Sequence, residues 1–468
     1  MSYDDLIPRK TIIDAIKETC SQYGHRYAMI SNDNNNIKKI TWKKYYEMSK
    51  QIAAVFIKLG LKENENISIF GFNSYEWFLC NLAIIMTGSA SVAVDISNSI
   101  DVCEHIINET NSQIIIVENG EQLNKILSMN NIDRIKAIIQ CKGELNDDVL
   151  CYHNIYDWAS IMIYAAELCC IEFNNCLEQV EKRINDLKPS QCSTIVYSFE
   201  KSSKDIPLGI MLSHDNIIWT ATNILKYYNI KEGTPQRVIN YLPLTDITTQ
   251  IIDIYVIMIN AGTTWFSNAS IYDRLLETKP TLFMGNFDIW DDIKTQIEKL
   301  MNCKIKKYIL KKAMKACIKY HIRVEHNYYE KPDYWNIYNK YIFKKIKKKL
   351  GLIYCKLFLS HISSTNSDII KFFASISIKI NTFFGINECT GFMTLSSPII
   401  FKTGSCGKRL YSTNIIINSN NNEICVKGRH VMLGYLNNIK TIINDKGFLH
   451  SNYYGNFNDD NFLFLLEN

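Results

Sequence analysis

Short, almost uninterrupted apolar runs recur along this chain, each separated from the next by a helix-length amphipathic stretch. Ile67 to Phe70, Ser91 to Ile96, Gln113 to Val117 and Ala137 to Gln140 are runs of strand length. Runs that are apolar at successive positions suit strands covered on both faces, as in parallel sheets under helices. Between them lie helix signatures. Thr41 stands where an N-cap belongs, and Tyr45, Met48, Ile52, Val55, Phe56 and Leu59 follow at spacings of mostly three and four, with Gly60 at the C′ position. Ser74 and Ser99 open the next two helices. Strand alternating with helix predicts an α/β chain with parallel sheets.

The alternation resumes after a less regular middle. Ser193 to Tyr197, Ile210 to Leu212, Val238 to Leu242, Thr263 to Phe266 and Thr281 to Met284 read as strands. Ser213 caps a helix through about Leu225, and a second helix runs from about Asp246 to Asn260. The expected organisation is two α/β subdomains, 1–190 and 191–400, with their sheets packed together. The second carries a basic helical insert at 300–350, and a small β-rich subdomain follows over 401–468. The Asn-rich segments Asn32 to Asn36 and Asn418 to Asn422 read as turns.

Composition removes several classes. With 47% hydrophobic and 21% charged residues among 468, the chain is globular and long enough for a sizeable core. A net charge of +5 is too weak to argue for a nucleic-acid partner. The 15 cysteines are scattered with no CxxC pair, which argues against a disulfide framework or a zinc site and for a cytoplasmic, reduced protein. The N-terminus carries no apolar signal core, and the longest apolar stretch, Trp77 to Ile96, breaks at Gly88. Lys304 to Tyr320 and Lys344 to Lys349 are strongly basic. They read either as a solvated helical excursion or as a surface on an intracellular membrane, 304–349, facing anionic lipid.

A polar segment between strands of an α/β protein is where phosphate is commonly held. Here that segment is Tyr197 to Gly209, with Ser198, Ser202, Ser203, Lys201 and Lys204. It lacks glycines between Ser198 and Leu208, and Glu200 and Asp205 oppose a nucleotide.

In collinear order with this segment stand IMLSHDNIIWTATN (Ile210 to Asn223), YLPLTDITTQIIDIY (Tyr241 to Tyr255), FMGNFDIWDDI (Phe283 to Ile293) and FFGINECTG (Phe383 to Gly391). GSCGK (Gly404 to Lys408), NEICVKGRHVMLGYLNN (Asn422 to Asn438) and GFLHS (Gly447 to Ser451) follow. Together they resemble the adenylate-forming enzymes, and among these the long-chain fatty acid–CoA ligases of the bubblegum type. The resemblance implies the N-terminal fold of that family, two α/β sheets plus a small β-rich subdomain. It implies a two-step reaction: a fatty acid carboxylate attacks the α-phosphate of Mg·ATP, and CoA then displaces AMP. ATP, Mg and CoA are the implied cofactor and co-substrates, and a long-chain fatty acid the implied partner.

Carried over position by position, the implied nucleotide contacts are Ser198, Ser202, Ser203, Lys204, Gly209, Phe384, Gly385 and Asn387, and the implied Mg ligand is Glu388. No catalytic residue is assigned. Asp246 replaces the family histidine of the LPLxH segment, Phe287 and Asp288 replace its Pro–Arg pair, Leu208 replaces the loop lysine, and Tyr453 replaces the aspartate that grips the ribose. The family's C-terminal lid domain is expected to be absent. The alternative expectation is a non-catalytic paralogue that binds fatty acid, a membrane surface or a partner ligase.

Overall fold

The computed structural model describes residues 7–33, 36–130, 132–146, 154–167, 174–200, 203–231, 233–300, 304–332, 334–362, 367–437 and 442–466. Its largest sheet has eight strands, in spatial order Gly434–Tyr435, Ser203–Ser213, Cys192–Glu200, Ser91–Val94, Asn66–Phe70, Ser112–Val117, Ala137–Gln140 and Ile155–Asp157. From Cys192–Glu200 to Ile155–Asp157 every neighbouring pair is parallel, and the opposite end is antiparallel. Alternate side chains enter different cores: Ile67, Ile69, Ile114 and Ile116 join one apolar cluster, Phe70, Val92, Val94, Ile115 and Val117 another. That two-sided burial explains the unbroken apolar runs.

The helix starts are local. Thr41 accepts from Lys44 N, Ser74 from Trp77 N, Ser99 from Val102 N and Ser213 from Asn216 N. Trp77 to Ile96 resolves into the helix Tyr75–Met86 and the strand Ser91–Val94. No helix among the described residues is long and apolar enough to cross a membrane.

Sheet membership crosses the expected boundary at residue 190. The hairpin Tyr27–Asp33/Asn36–Thr41 pairs in parallel with Thr263–Ser267, and Cys192–Ser213 completes the sheet that begins at Asn66. Periodicity records which faces are buried, but the neighbour of each strand is set by long-range pairing. A third sheet orders Leu282–Met284, Leu357–His361, Ile380–Phe384, Thr394–Leu395 and Lys408–Arg409. In the tail, Asn414–Ile417, Glu423–Lys427, Leu449–Phe457 and Leu463–Leu465 make a small antiparallel sheet. Two tail strands leave it: Lys408–Arg409 joins the third sheet and Gly434–Tyr435 the eight-stranded one.

Ser198 to Leu208 is not an open polar loop. Cys192–Glu200 and Ser203–Ser213 form an antiparallel hairpin, with Tyr197 opposite Gly209, Ser198 opposite Leu208 and Glu200 opposite Ser203. Pro207, which has no N–H to give, lies where the register shifts between Ser198 and Glu200. Lys201 and Ser202 lie outside the described residues. The helix expected from Asp246 to Asn260 begins at Ile247 with Asp246 as its N-cap, and between Ile251 and Val256 it widens into a π-helix.

Candidate functional site

The site forms where the parallel strands Leu357–His361 and Ile380–Phe384 end side by side, His361 in register with Phe383. Beyond Phe384 the chain turns sharply. A Cβ at Gly385 would lie 2.2 Å from the carbonyl oxygen of Gly391, so only glycine fits. Asn387–Cys389 then forms a single 3-10 turn carrying Glu388.

Three contacts hold this turn. Met432 N donates to the Glu388 carbonyl (2.8 Å), Tyr435 Oη donates to Glu388 Oε1 (3.0 Å), and His361 Nε2 meets the Gly385 carbonyl (3.0 Å). Burial raises the Glu388 carboxyl pKa, and the Tyr435 hydroxyl opposes that rise. Burial lowers the His361 pKa, against the Gly385 carbonyl and the Asp246 charge. Asp246 reaches solvent while accepting from Thr248 N (2.9 Å); crowding by protein raises its carboxyl pKa, and His361 pulls it back. Its N-cap role accounts for the acid in this position.

Tyr453 stands edge-on to Phe384, ring centroids 5.3 Å apart, where the family aspartate was expected. A phenol has one oxygen and cannot receive two ribose hydroxyls as a carboxylate does. Phe384 itself is fully buried, between Tyr453 and His361.

The sequence-predicted residues fall into two groups. Phe384, Gly385, Asn387 and Glu388 come together in the turn. Gly209 reaches it indirectly: Leu436 N donates to its carbonyl (2.7 Å), and the neighbouring Ile210 is in register with Tyr435, the residue that holds Glu388. Ser198, and Ser203 and Lys204 on the returning strand, are hairpin residues. Sequence reasoning missed His361 and Tyr435. The available signal for His361 was its place at the carboxyl end of an apolar run, where α/β sheets position ligand contacts. Tyr435 gave no signal, because its role depends on a two-residue strand from the tail.

A cavity of about 480 Å³ opens nearby at the carboxyl ends of the parallel strands, lined by Phe72, Asp95, Glu118, Lys142, Tyr241 and Leu244 among others. The Glu118–Lys142 pair (2.8 Å) fixes its wall, and Glu118 also accepts from Phe72 N (2.9 Å).

Away from the cleft, the donor atoms of Glu423, Cys425 and His450 lie within 4.8 Å of one another, a convergence that cysteine spacing did not reveal. His450 Nδ1 contacts Glu423 (2.9 Å) and Nε2 faces Asn444 Nδ2 (3.4 Å), so hydrogen bonds already occupy both ring nitrogens.

The turn with its aromatic, forced glycine and held carboxylate, at the carboxyl end of parallel strands, is the segment whose sequence resembles the adenylate-forming enzymes. The family model described as AMP-binding enzyme matches residues 16–436, and the chain belongs to that family. Among curated relatives it is 32% identical over 476 residues to the long-chain-fatty-acid–CoA ligase ACSBG2 of Xenopus laevis, covering 98% of this chain and 63% of that protein. It is 31% identical to the Homo sapiens ACSBG2 over 97% of this chain and 69% of the relative. The chain thus spans about two thirds of these relatives' length. Solved structures share the fold. The luciferase-like enzyme of the Zophobas morio mealworm has TM-score 0.68 at 18% identity, covering 98% of this chain and 95% of that one. The anthranilate CoA ligase AuaEII with anthranoyl-AMP has TM-score 0.67 at 13% identity, covering 99% and 78%.

Proposed function

We propose that this chain forms the nucleotide-binding body of a long-chain fatty acid–CoA ligase, activating the fatty acid carboxylate through an acyl-adenylate. The observation that carries the reading is the Glu388 carboxylate, with Oε1 held by Tyr435 beside the Phe384 ring. The carboxylate, steadied by Tyr435 at one oxygen and by a backbone N–H, offers the hard oxygen that Mg²⁺ takes. Bound Mg²⁺ would neutralise phosphate charge during attack at the α-phosphate. The chain's own part is positional: Phe384, buried between Tyr453 and His361, backs the base subsite, Gly385 permits close backbone approach, Asn387 offers an amide to phosphate, and Glu388 orients the metal. Ser198, Ser202, Ser203, Lys204 and Gly209 are the proposed phosphate contacts. CoA is the proposed thiol co-substrate.

One observation favours a second reading, non-catalytic binding of fatty acid, a membrane surface or a partner ligase. Tyr453 packs against Phe384 at the position where the resemblance implies a two-oxygen ribose acceptor. Calorimetry with Mg·ATP, followed by long-chain fatty acid-dependent pyrophosphate exchange, separates the two. A dissociation constant at or below ~1 mM, lost in Glu388→Gln, together with exchange supports the ligase; no binding at several-fold higher concentration favours the second reading.

Membrane contact is proposed at 304–349. In the helix Lys304–Glu325, exposed Lys311, Lys312, Lys315 and Lys319 accompany exposed Tyr308, Ile309, Ile318 and Ile322. Such a mixture suits an anionic lipid surface. Equal flotation with anionic and neutral vesicles would remove it.

A further inference from the structure

The basic insert contains a cavity that the nucleotide reading leaves unused. It measures about 280 Å³ and is lined by Lys347, Lys356, Lys379, His321, Tyr320 and Trp335, with Cys317 at its base. The third sheet separates it from the candidate site. Phe358 faces the insert's core while its neighbours Leu357 and Leu359 face the cluster holding Phe383 and Phe384.

Its charges are unbalanced. Among the described residues three lysines line it and no carboxylate does. Lys347 is only partly exposed, and its side chain makes no hydrogen bond or ion pair among the described residues. Lys379 Nζ gives one hydrogen bond, to the Pro398 carbonyl (3.0 Å), and an ammonium carries three donors. His321 lies against Phe401 at 4.3 Å, and its buried Nδ1 has no hydrogen-bond partner. Glu325, one turn beyond His321 on the same helix, is occupied by Thr403 N (3.1 Å) and Oγ1 (2.9 Å). Tyr320 and Trp335, 4.7 Å apart, add apolar walls. Lys379 Nζ also lies over the Tyr320 and Phe401 rings (5.6 and 5.4 Å), which carry no formal charge; partly buried ammoniums and an orphaned imidazole nitrogen in one concavity are costly without a counter-charge.

We propose that this cavity binds a phosphomonoester anion through Lys347 and Lys379, with His321 and the aromatic pair forming its wall. A dianion relieves the uncompensated charge and matches point-charge donors on flexible stems. Burial lowers the pKa of both lysines, and Lys344 adds to this for Lys347, as expected of cations awaiting an anion. The volume admits a phosphate with a small substituent, so the anion can come from a free phosphate metabolite or from a lipid headgroup presented at the surrounding basic face. The site goes beyond the proposed function and depends on neither nucleotide nor fatty acid.

The test uses the full chain. Inorganic phosphate is titrated against chloride at equal ionic strength, and flotation compares phosphatidylcholine vesicles carrying 20% phosphatidic acid with vesicles carrying 20% phosphatidylserine. The expected result is a phosphate-dependent rise in Tm, or a preference for phosphatidic acid, reduced at least tenfold in affinity by K347M/K379M but not by K17M/K44M, an exposed pair outside the basic insert. A response to inorganic phosphate without lipid preference assigns the free-phosphate source, and lipid preference alone assigns the headgroup. Absence of both, or equal losses in the two double variants, overturns the proposal. Should K347M/K379M fail to fold, amine acetylation of the wild-type chain decides. Phosphate must protect Lys347 and Lys379 and leave Lys311 unprotected; uniform labelling overturns the site.

Discussion

Asp253 provides a test of the structure that needs no ligand. It sits fully inside the π-helical segment Ile251–Val256, where Asn240 Nδ2 donates to its Oδ2 (2.7 Å) and Asn240 Oδ1 has no partner. Burial pushes its carboxyl pKa up to about 7, and the Asn240 bond only partly restrains it. The sign follows from linkage. The folded chain holds this proton more tightly than the unfolded chain, so stability is greatest at low pH. It falls as pH rises from the unfolded value of 3.8 to about 7, and is flat above. The full loss is about 4 kcal/mol at about 1.4 kcal/mol per tenfold, of which about 3 kcal/mol falls between pH 5 and pH 8. Asp253→Asn is neutral throughout and keeps the shape. Urea midpoints at pH 5, 6, 7 and 8 on both proteins cancel the groups they share. The variant should gain on the parent steadily to pH 7 and then hold its lead. Parallel curves, or a variant less stable at pH 8, would refute the buried-carboxyl argument.

Further expectations concern the site and its frame. Asp215→Ala removes the carboxylate that Arg429 grips in a two-pronged pair (2.6 and 3.1 Å) and leaves that charge neutral partners such as the Ile7 carbonyl; it should cost about 3–5 kcal/mol in urea unfolding, and below 1 kcal/mol the pair is not structural. Gly385→Ala forces a carbon against the Gly391 carbonyl, and about 1–3 kcal/mol of stability should go with any Mg·ATP binding; unchanged denaturation would contradict the turn geometry. Tyr453→Asp restores a two-oxygen acceptor beside Phe384, and calorimetry should show Mg·ATP affinity raised about tenfold or more. No gain would mean the ribose does not lie there.

How far the sequence reaches differs between the two halves of the site. The Phe384–Glu388 turn is local: an apolar strand, a glycine with no room for a side chain and a single 3-10 turn, all within nine residues of FFGINECTG. The phosphate segment is not. Its serines and lysines read as a loop, yet Ser198 pairs with Leu208 and Glu200 with Ser203, because two strand-length segments so close in the chain satisfy their backbone groups against each other. Lysine counting likewise found the basic insert, but not that Lys347 and Lys379 share one cavity with no acid among its described lining.

By itself the sequence determined the α/β class, the helix caps at Thr41, Ser74, Ser99 and Ser213, the two-sided burial of the central strands and the family. These are set by side-chain periodicity and by hydrogen bonds within three residues, which a linear chain displays openly. Only the tertiary structure decided that Tyr27–Thr41 pairs with Thr263–Ser267, and that the tail's Gly434–Tyr435 docks on Ser203–Ser213 and thereby delivers Tyr435 to Glu388. It also decided that Tyr453 meets Phe384. Those contacts join residues far apart in sequence, and their stability comes from closing sheets and burying faces together, a quantity no local pattern contains.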